Sequence, residues 1–338
     1  MTESFLHLSD NERHDIYTAG ANSLGRAPVV LEKDVWVCWS LAVLFGTTDR
    51  LPMAFKGGTA LSKAHHAIDR FSEDIDVTVQ VPSAATLDKD DLPTSSNKRK
   101  ALATHLNGEL REYITDQLLP LFIAQLAYIP GGGRVLQQGE SMEELIIAYP
   151  TCFGALSALP YMAQQIKLEF GARNLIDPRT IHRIEPYIAG ITLEAPLEFP
   201  VAHEVEVLGL ERIFWEKATL AHDHCNRNVD ETGSAERISR HWYDLAVLTE
   251  QGVAARAHGR RDQLSSVIRI KNVFYKRSTS DYDACLANGL KLVPDAKRLV
   301  HLRADYAAMT SANMFVEEPR SFDEIIETLR GVETLLNA

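Results

Sequence analysis

Two short segments carry residue types that phosphate chemistry uses. The first is Phe55-Lys56-Gly57-Gly58-Thr59-Ala60-Leu61-Ser62, and the second is Phe71-Ser72-Glu73-Asp74-Ile75-Asp76-Val77. Paired glycines between a strand and a helix let the backbone approach an anion, and the helix N-terminus adds unpaired N–H groups and a positive dipole end. Asp74 and Asp76 are two apart in an alternating, β-branched run, so both side chains leave the same face of a strand. Two carboxylates on one face repel unless cations neutralise them, and oxygen-only ligands suit Mg²⁺. Alone, each segment also reads as something ordinary: a Gly-Gly turn, or a solvated Asp pair at a strand edge. In this order and spacing they read as a phosphate cradle facing a metal-binding pair, the parts that two-metal phosphoryl or nucleotidyl transfer needs. A third carboxylate is wanted on a neighbouring strand. Glu169 in Lys167-Leu168-Glu169-Phe170 is the candidate, because Lys167 and Glu169 both point away from the apolar face of that run.

These side chains need elements to hold them. Residues 9–24 and 31–46 have helical periodicity, the second through Val35, Trp36, Trp39, Leu41, Val43 and Leu44. Met53–Lys56 predicts a strand stopped by the glycines, 59–68 a helix with Thr59 as N-cap, and Ile75–Val79 a second strand. Residues 82–98 read as loop and 98–126 as helix. Gly131, Gly132, Gly133 and Pro150 punctuate strand-rich sequence that ends in a half-buried strand over 165–170. Beyond Pro178, Pro186, Pro196 and Pro200, residues 205–207 form the last strand. From Gly209 the pattern turns helical, over 211–224, 235–249, 281–289, 294–309 and 321–337. The reading is therefore an α/β core with N-terminal helices over 1–208 and a helical domain over 209–338.

Composition agrees with a globular chain of that size. At roughly 150 residues per domain, 338 residues give about two domains. The 45% hydrophobic and 24% charged content excludes disordered and fibrous classes. Against 35 Lys and Arg stand 46 Asp and Glu, a net charge of −11 that repels polynucleotides over the surface as a whole. One segment departs from that average: Arg256, Arg260, Arg261, Arg269, Lys271, Lys276 and Arg277 face only Asp262, with Phe274 and Tyr275 among them. It reads as a track for RNA phosphates with a stacking surface, or equally as a solvated junction whose charge pairs with the acidic remainder. The four cysteines form no CxxC pair, which points to a reducing cytoplasm and neither disulfides nor structural zinc. No basic leader or membrane-length apolar run is expected to target the chain to a membrane. His222 and His224, two apart on a helix, face different directions and are not expected to bind metal.

With Trp215-Glu216-Lys217 and Ser239-Arg240-His241-Trp242-Tyr243-Asp244-Leu245, the motifs together resemble the AbiEii/AbiGii nucleotidyltransferase toxin family, within the DNA polymerase β-like nucleotidyltransferase superfamily. The resemblance runs from about residue 30 to the C-terminus. It implies an α+β fold, a polymerase β-like core with a mixed sheet followed by a helical domain. It also implies transfer of NMP from an NTP to an acceptor hydroxyl, with a tRNA 3′ end as the favoured acceptor. The enzyme would act as the toxin of a bacterial toxin–antitoxin or phage-defence system, opposed by an antitoxin encoded next to it. By residue, the resemblance implies that Asp74 and Asp76 bind Mg²⁺ or Mn²⁺, and that Lys56, Gly57, Gly58 and Thr59 hold phosphates with Ser62 and Ser72 beside them. Lys167 and Glu169 correspond to a third motif, Glu169 as general base or as a shaping residue. Lys217 would reach the triphosphate as a point charge, with Asp244 near it. Without the resemblance, Lys217 reads as a solvated helix lysine and Asp244 as an i, i+4 partner of Arg240. Trp215, Trp242 and Tyr243 read as core. Two other functions fit the residues: a protein or small-molecule adenylyltransferase, and a catalytically silent NTP- or RNA-binding protein.

Overall fold

The computed structural model describes residues 3–89, 92–140, 142–154, 163–191, 196–227, 237–312, 315 and 318–338. The chain divides into two units. One comprises Met1–Ala64, Ser72–Thr86 and Thr104–Val207; the other comprises His65–Phe71, Leu87–Ala103 and Leu208–Ala338.

The first unit is built on a mixed sheet. Nine strands are described: β1 (Glu3–Ser4), β2 (Met53–Lys56), β3 (Ile75–Val79), β4 (Arg134–Gln138), β5 (Glu144–Ala148), β6 (Ile166–Gly171), β7 (Arg179–Ile184), β8 (Leu197–Glu198) and β9 (Ala202–Leu208). Seven form one sheet in the order β4-β5-β6-β3-β2-β9-β7, and β1 and β8 form a separate parallel pair. β3 runs antiparallel to β2 and parallel to β6, and β2 is parallel to β9. The alternation expected in β6 is present: Ile166, Leu168 and Phe170 are buried, while Lys167 and Glu169 are half-exposed. β7 lies within the proline-punctuated stretch, where no strand was expected.

Helix α2 (Pro28–Phe45) packs on β6, α1 (Asp10–Leu24) packs on α2, and α3 (Gly57–Lys63) follows β2 directly. α2 is buried on every side from Val30 to Leu41, and apolar there except for Glu32, Lys33, Asp34 and Ser40, as expected of a helix enclosed by other elements. α3 differs from its expected form. It starts at Gly57 and ends at Lys63, so Thr59 lies inside its first turn and is not an N-cap. α4 (Ser96–Tyr113) continues through a π-helical turn at Ile114–Leu118 into α5 (Leu119–Leu126), which makes one continuous helical run of the stretch read as 98–126.

The second unit is helical, with α6 (Leu210–Asn226), α7 (Arg240–Glu250), α8 (Val253–His258), α9 (Arg261–Phe274), α10 (Ala296–Ser311) and α11 (Phe322–Leu336). α7, α8 and α9 all pack on α6, and α11 packs on α7. Residues 235–236, read as the start of α7, lie outside the described residues. The stretch 281–289 holds a single 3₁₀ turn at Tyr282–Leu286 in place of the expected helix. Trp215 and Trp242 are fully buried core residues, as expected, and the Trp242 indole donates to the Leu292 carbonyl. Among the described residues, no helix is long and apolar enough to cross a membrane.

Candidate active site

The register of the sheet sets the site. Asp76 on β3 lies opposite Lys56 on β2 and Glu169 on β6, and Glu169 lies opposite Glu144 on β5. Partners in register project from the same face, so Lys56, Asp76, Glu169 and Glu144 form a row across four strands. Asp74 immediately precedes β3, two residues before Asp76, and both carboxylates act electrostatically on Glu169. All five side chains are half-exposed, whereas the residues between them, Ile75, Val77 and Leu168, are buried. The acidic residues therefore meet solvent while the opposite face holds their strands in the core.

Gly57 adopts φ +80°, a left-handed conformation that glycine reaches without strain. Its missing side chain has a second role: a Cβ built there would lie 2.2 Å from Asp76 Oδ2. The Asp76 carboxylate thus rests against the backbone at the start of α3, which brings the glycine motif and the Asp pair together. Thr59 ties the same two segments. Its buried hydroxyl sits 2.5 Å from the Asp74 carbonyl and 2.9 Å from Ser72 Oγ.

Two hydroxyls expected beside the phosphates are engaged within the protein. The Thr59 hydroxyl is turned inward to the Asp74 backbone, and the buried Ser62 hydroxyl donates to the Thr59 carbonyl at 3.2 Å. Both side chains hold α3 in place. Lys56, Gly57, Gly58 and Ser72 remain half-exposed around the acidic pair.

Glu169 and Lys167 are paired. Lys167 Nζ lies 2.5 Å from Glu169 Oε1 and 3.0 Å from Glu144 Oε1. Burial, opposed by the Lys167 hydrogen bond and reinforced by Asp76 and Asp74, pushes the Glu169 pKa above the usual carboxylate value. Partial burial works against the Lys167 ammonium, but its two carboxylate partners outweigh this and raise its pKa.

Could these residues hold a metal? Among the described residues, no three His, Cys, Asp or Glu side chains converge as a ready cage. The donor set is a pair of half-exposed carboxylates, one seated on a glycine backbone, with a third carboxylate opposite. That fits Mg²⁺, which is held by one or two carboxylates and takes its remaining ligands from water and substrate phosphates.

The expected fourth-motif residues lie together in the second unit. Lys217 Nζ is 2.9 Å from Asp244 Oδ2, and Arg70 forks onto Asp244 through Nε and Nη2, both at 2.7 Å. Asp244 is fully buried, and Lys217 and Arg70 nearly so. The solvated-lysine reading is excluded by this burial, and Asp244 is a buried residue that pairs with Arg70 and Lys217 and not a helix-surface one. Burial by itself raises the Asp244 pKa, but Arg70 and Lys217 reverse that and hold it well below the carboxylate range. Burial pulls the Lys217 pKa down, with Asp244 opposing. Lys217 and Asp244 thus serve each other as counter-ions.

The basic segment is largely engaged within its own unit. Arg256 pairs with Glu211 at 2.7 Å, Arg260 with Asp262 at 3.3 Å and Lys276 with Asp283 at 4.0 Å. Arg269 pairs with Asp88 at 3.4 Å, Arg261 donates to the Leu336 carbonyl and Lys271 to the Glu216 carbonyl. Arg260, Lys276, Arg277 and Tyr275 are exposed. His222 bonds the Asp281 carbonyl and the Lys291 N–H, as expected of a structural histidine.

Sequence reading missed the partners beneath the site. Glu32, Lys33 and Asp34 are consecutive buried charges in α2, and each meets a different segment: Thr151 and Cys152, Glu73, and Lys63. Their signal was a run of three charges interrupting an otherwise apolar helix. A cavity of about 620 Å³ lies elsewhere in the first unit, where the chain enters β2, with Arg50 and Arg179 both turned to Glu206. It is at the opposite end of β2 from Lys56.

Residues 42–328 match the family profile described as nucleotidyl transferase AbiEii toxin, type IV toxin–antitoxin system. Among solved structures, the chain is similar to MenT4, a nucleotidyltransferase toxin from Mycobacterium tuberculosis H37Rv. The identity is 16% and the TM-score 0.40, over 95% of this chain and 99% of that one. No curated protein sequence matches.

Proposed function

The chain belongs to the AbiEii nucleotidyl transferase toxin family of type IV toxin–antitoxin systems, and from that premise we propose that it transfers NMP from an NTP to an RNA hydroxyl, the 3′ end of a tRNA, in a Mg²⁺-dependent reaction in the cytoplasm. One observation carries the site: Asp76 in register with Glu169 on adjacent strands and against the Gly57 backbone, with Asp74 just ahead of β3 and also acting on Glu169. Asp74 and Asp76 would hold the metal, which would supply charge neutralisation at the triphosphate and acidify the attacking hydroxyl. Lys56, Gly57, Gly58 and Ser72 are half-exposed in the two segments that carry the pair and would orient the phosphates. The acceptor oxygen attacks the α-phosphorus, the bond from the α-phosphorus to the bridging oxygen breaks, and pyrophosphate leaves with that electron pair. Glu169, opposite Asp76 and with its pKa already raised, would take the hydroxyl proton. The partner that restrains this activity is an antitoxin from the neighbouring gene, and growth arrest or phage defence is the outcome.

The test is incubation of the pure protein with each labelled NTP and total tRNA, with and without Mg²⁺. Labelled tRNA that is lost in Asp74→Asn supports the reading; no NTP-dependent label in any acceptor overturns it. A protein acceptor is the second reading, favoured by how many charges of the basic segment are already engaged within the chain. Label in protein with unlabelled RNA would select it.

A further inference from the structure

We propose that Lys33 is a positioning residue for the acidic site, acting through Glu73 on the backbone from which Asp74 projects. The proposal rests on the reading of Asp74 and Asp76 as metal ligands. Lys33 lies in α2, outside the residues matched to the family profile, and only 2% of it is exposed. Its ammonium makes a buried ion pair with Glu73, the residue immediately before Asp74. The same ammonium donates to the Ala163 carbonyl at 2.7 Å, three residues before β6 begins.

β3 and β6 are parallel, so their entry points lie at the same end of the sheet. One ammonium therefore joins the segment that leads into Asp74 and Asp76 to the segment that leads into Lys167 and Glu169. The neighbouring residue extends the arrangement. Asp34 pairs with Lys63 at 2.7 Å, at the C-terminal end of α3, and accepts from the Tyr187 N–H at 2.6 Å. Consecutive residues of a helix point about 100° apart, so Lys33 and Asp34 reach different segments from one rigid rod. Lys33 indexes the two acidic strands, and Asp34 indexes the glycine-bearing helix.

A buried ion pair is a costly way to fill space, since well-packed apolar residues of similar volume are often as stabilising. What the pair supplies is direction: an ammonium with its acceptors fixes two backbones in a way that an apolar contact does not. Removing both charges together should leave the fold and lose the alignment.

The experiment compares wild type, Lys33→Met/Glu73→Gln, Lys33→Arg and Asp74→Asn. Mn²⁺ binding is read by electron paramagnetic resonance, melting temperature by calorimetry, and kcat and KM for NTP in the transfer assay. The double variant is expected to melt within a few degrees of wild type, bind Mn²⁺ about tenfold more weakly and lose about tenfold or more in kcat, with KM for NTP little changed. Lys33→Arg should hold Mn²⁺ binding within about threefold of wild type. If the double variant melts early, Glu73→Gln alone, which keeps an oxygen facing Lys33, is judged by the same titration. Wild-type Mn²⁺ affinity in a folded Lys33/Glu73 variant, while Asp74→Asn has lost binding, overturns the inference. Wild-type affinity in Asp74→Asn overturns the metal-site reading itself, and the inference with it.

Discussion

The Asp76 carboxylate occupies the space that a side chain on Gly57 would need, with Oδ2 2.2 Å from the position of a Cβ. This single contact makes the glycine motif and the aspartate motif one site. Gly57→Ala should therefore fail twice, through left-handed strain of about 1–3 kcal/mol and through displacement of Asp76. A displacement on the order of 1 Å costs about 100-fold in rate. Transfer assays on a variant checked for folding by circular dichroism measure this, and near-wild-type kcat would refute it.

Asp74, Asp76 and Glu169 repel one another when no cation is present. In EDTA, Asp76→Asn should melt at or slightly above the wild-type temperature, while its transfer activity falls at least about 100-fold in Mg²⁺. A variant that loses activity and stability in parallel would show that Asp76 is a structural residue.

Thr59→Val separates a positioning role from a phosphate contact. The isosteric change leaves the Asp74 carbonyl short of one donor, at a cost of about 1–3 kcal/mol. Because the hydroxyl faces inward, kcat should fall while KM for NTP stays within about threefold. A large rise in KM with unchanged kcat would assign Thr59 to the phosphates after all.

The strands β2 and β3 could be read from sequence to the residue, because a short alternating run bounded by glycine or by charged turns has few other solutions. The acidic pair was legible for the same reason, since period-two geometry is local. What was not legible was long-range. Lys33 and Glu73 are 40 residues apart, and Arg70 and Asp244 are 174 apart. Charged residues are exposed by default, so only a fold can reveal which ones are buried. α9 was missed because its arginines and lysines mask Leu264, Val267, Ile268 and Ile270, which form its buried stripe. Thr59 was misread because a cap and an inward tether use the same hydroxyl.

Asp244→Asn leaves Arg70 and Lys217 buried without their counter-charge, and should cost about 3–5 kcal/mol at neutral pH. The Asp244 pKa is depressed in the folded state, so its contribution is present above the unfolded value of about 3.9 and is lost as pH falls towards the folded value. The stability gap between wild type and variant should therefore narrow below about pH 3.9. Urea titrations across pH measure it, and a gap that widens in acid would contradict the pairing.

If RNA is the acceptor, the exposed members of the basic segment should contact its phosphates. Arg260→Glu/Lys276→Glu/Arg277→Glu should raise KM for tRNA about tenfold or more and leave KM for NTP unchanged. The salt slope of RNA binding should fall by about 1 for each phosphate no longer neutralised. An unaltered salt slope would remove this segment from the interface.

β3 is the fourth strand of seven, equally far from both edges of the sheet. Edge strands open first in thermal fluctuations, and the middle of a sheet opens only when the whole unit does. Asp76 therefore rides on the backbone whose amide protons should be among the slowest to exchange with solvent, with Asp74 immediately ahead of it. On heating, their geometry should survive intact until the first unit melts, so that inactivation and unfolding of that unit coincide in temperature, with no activity lost beforehand to local fraying.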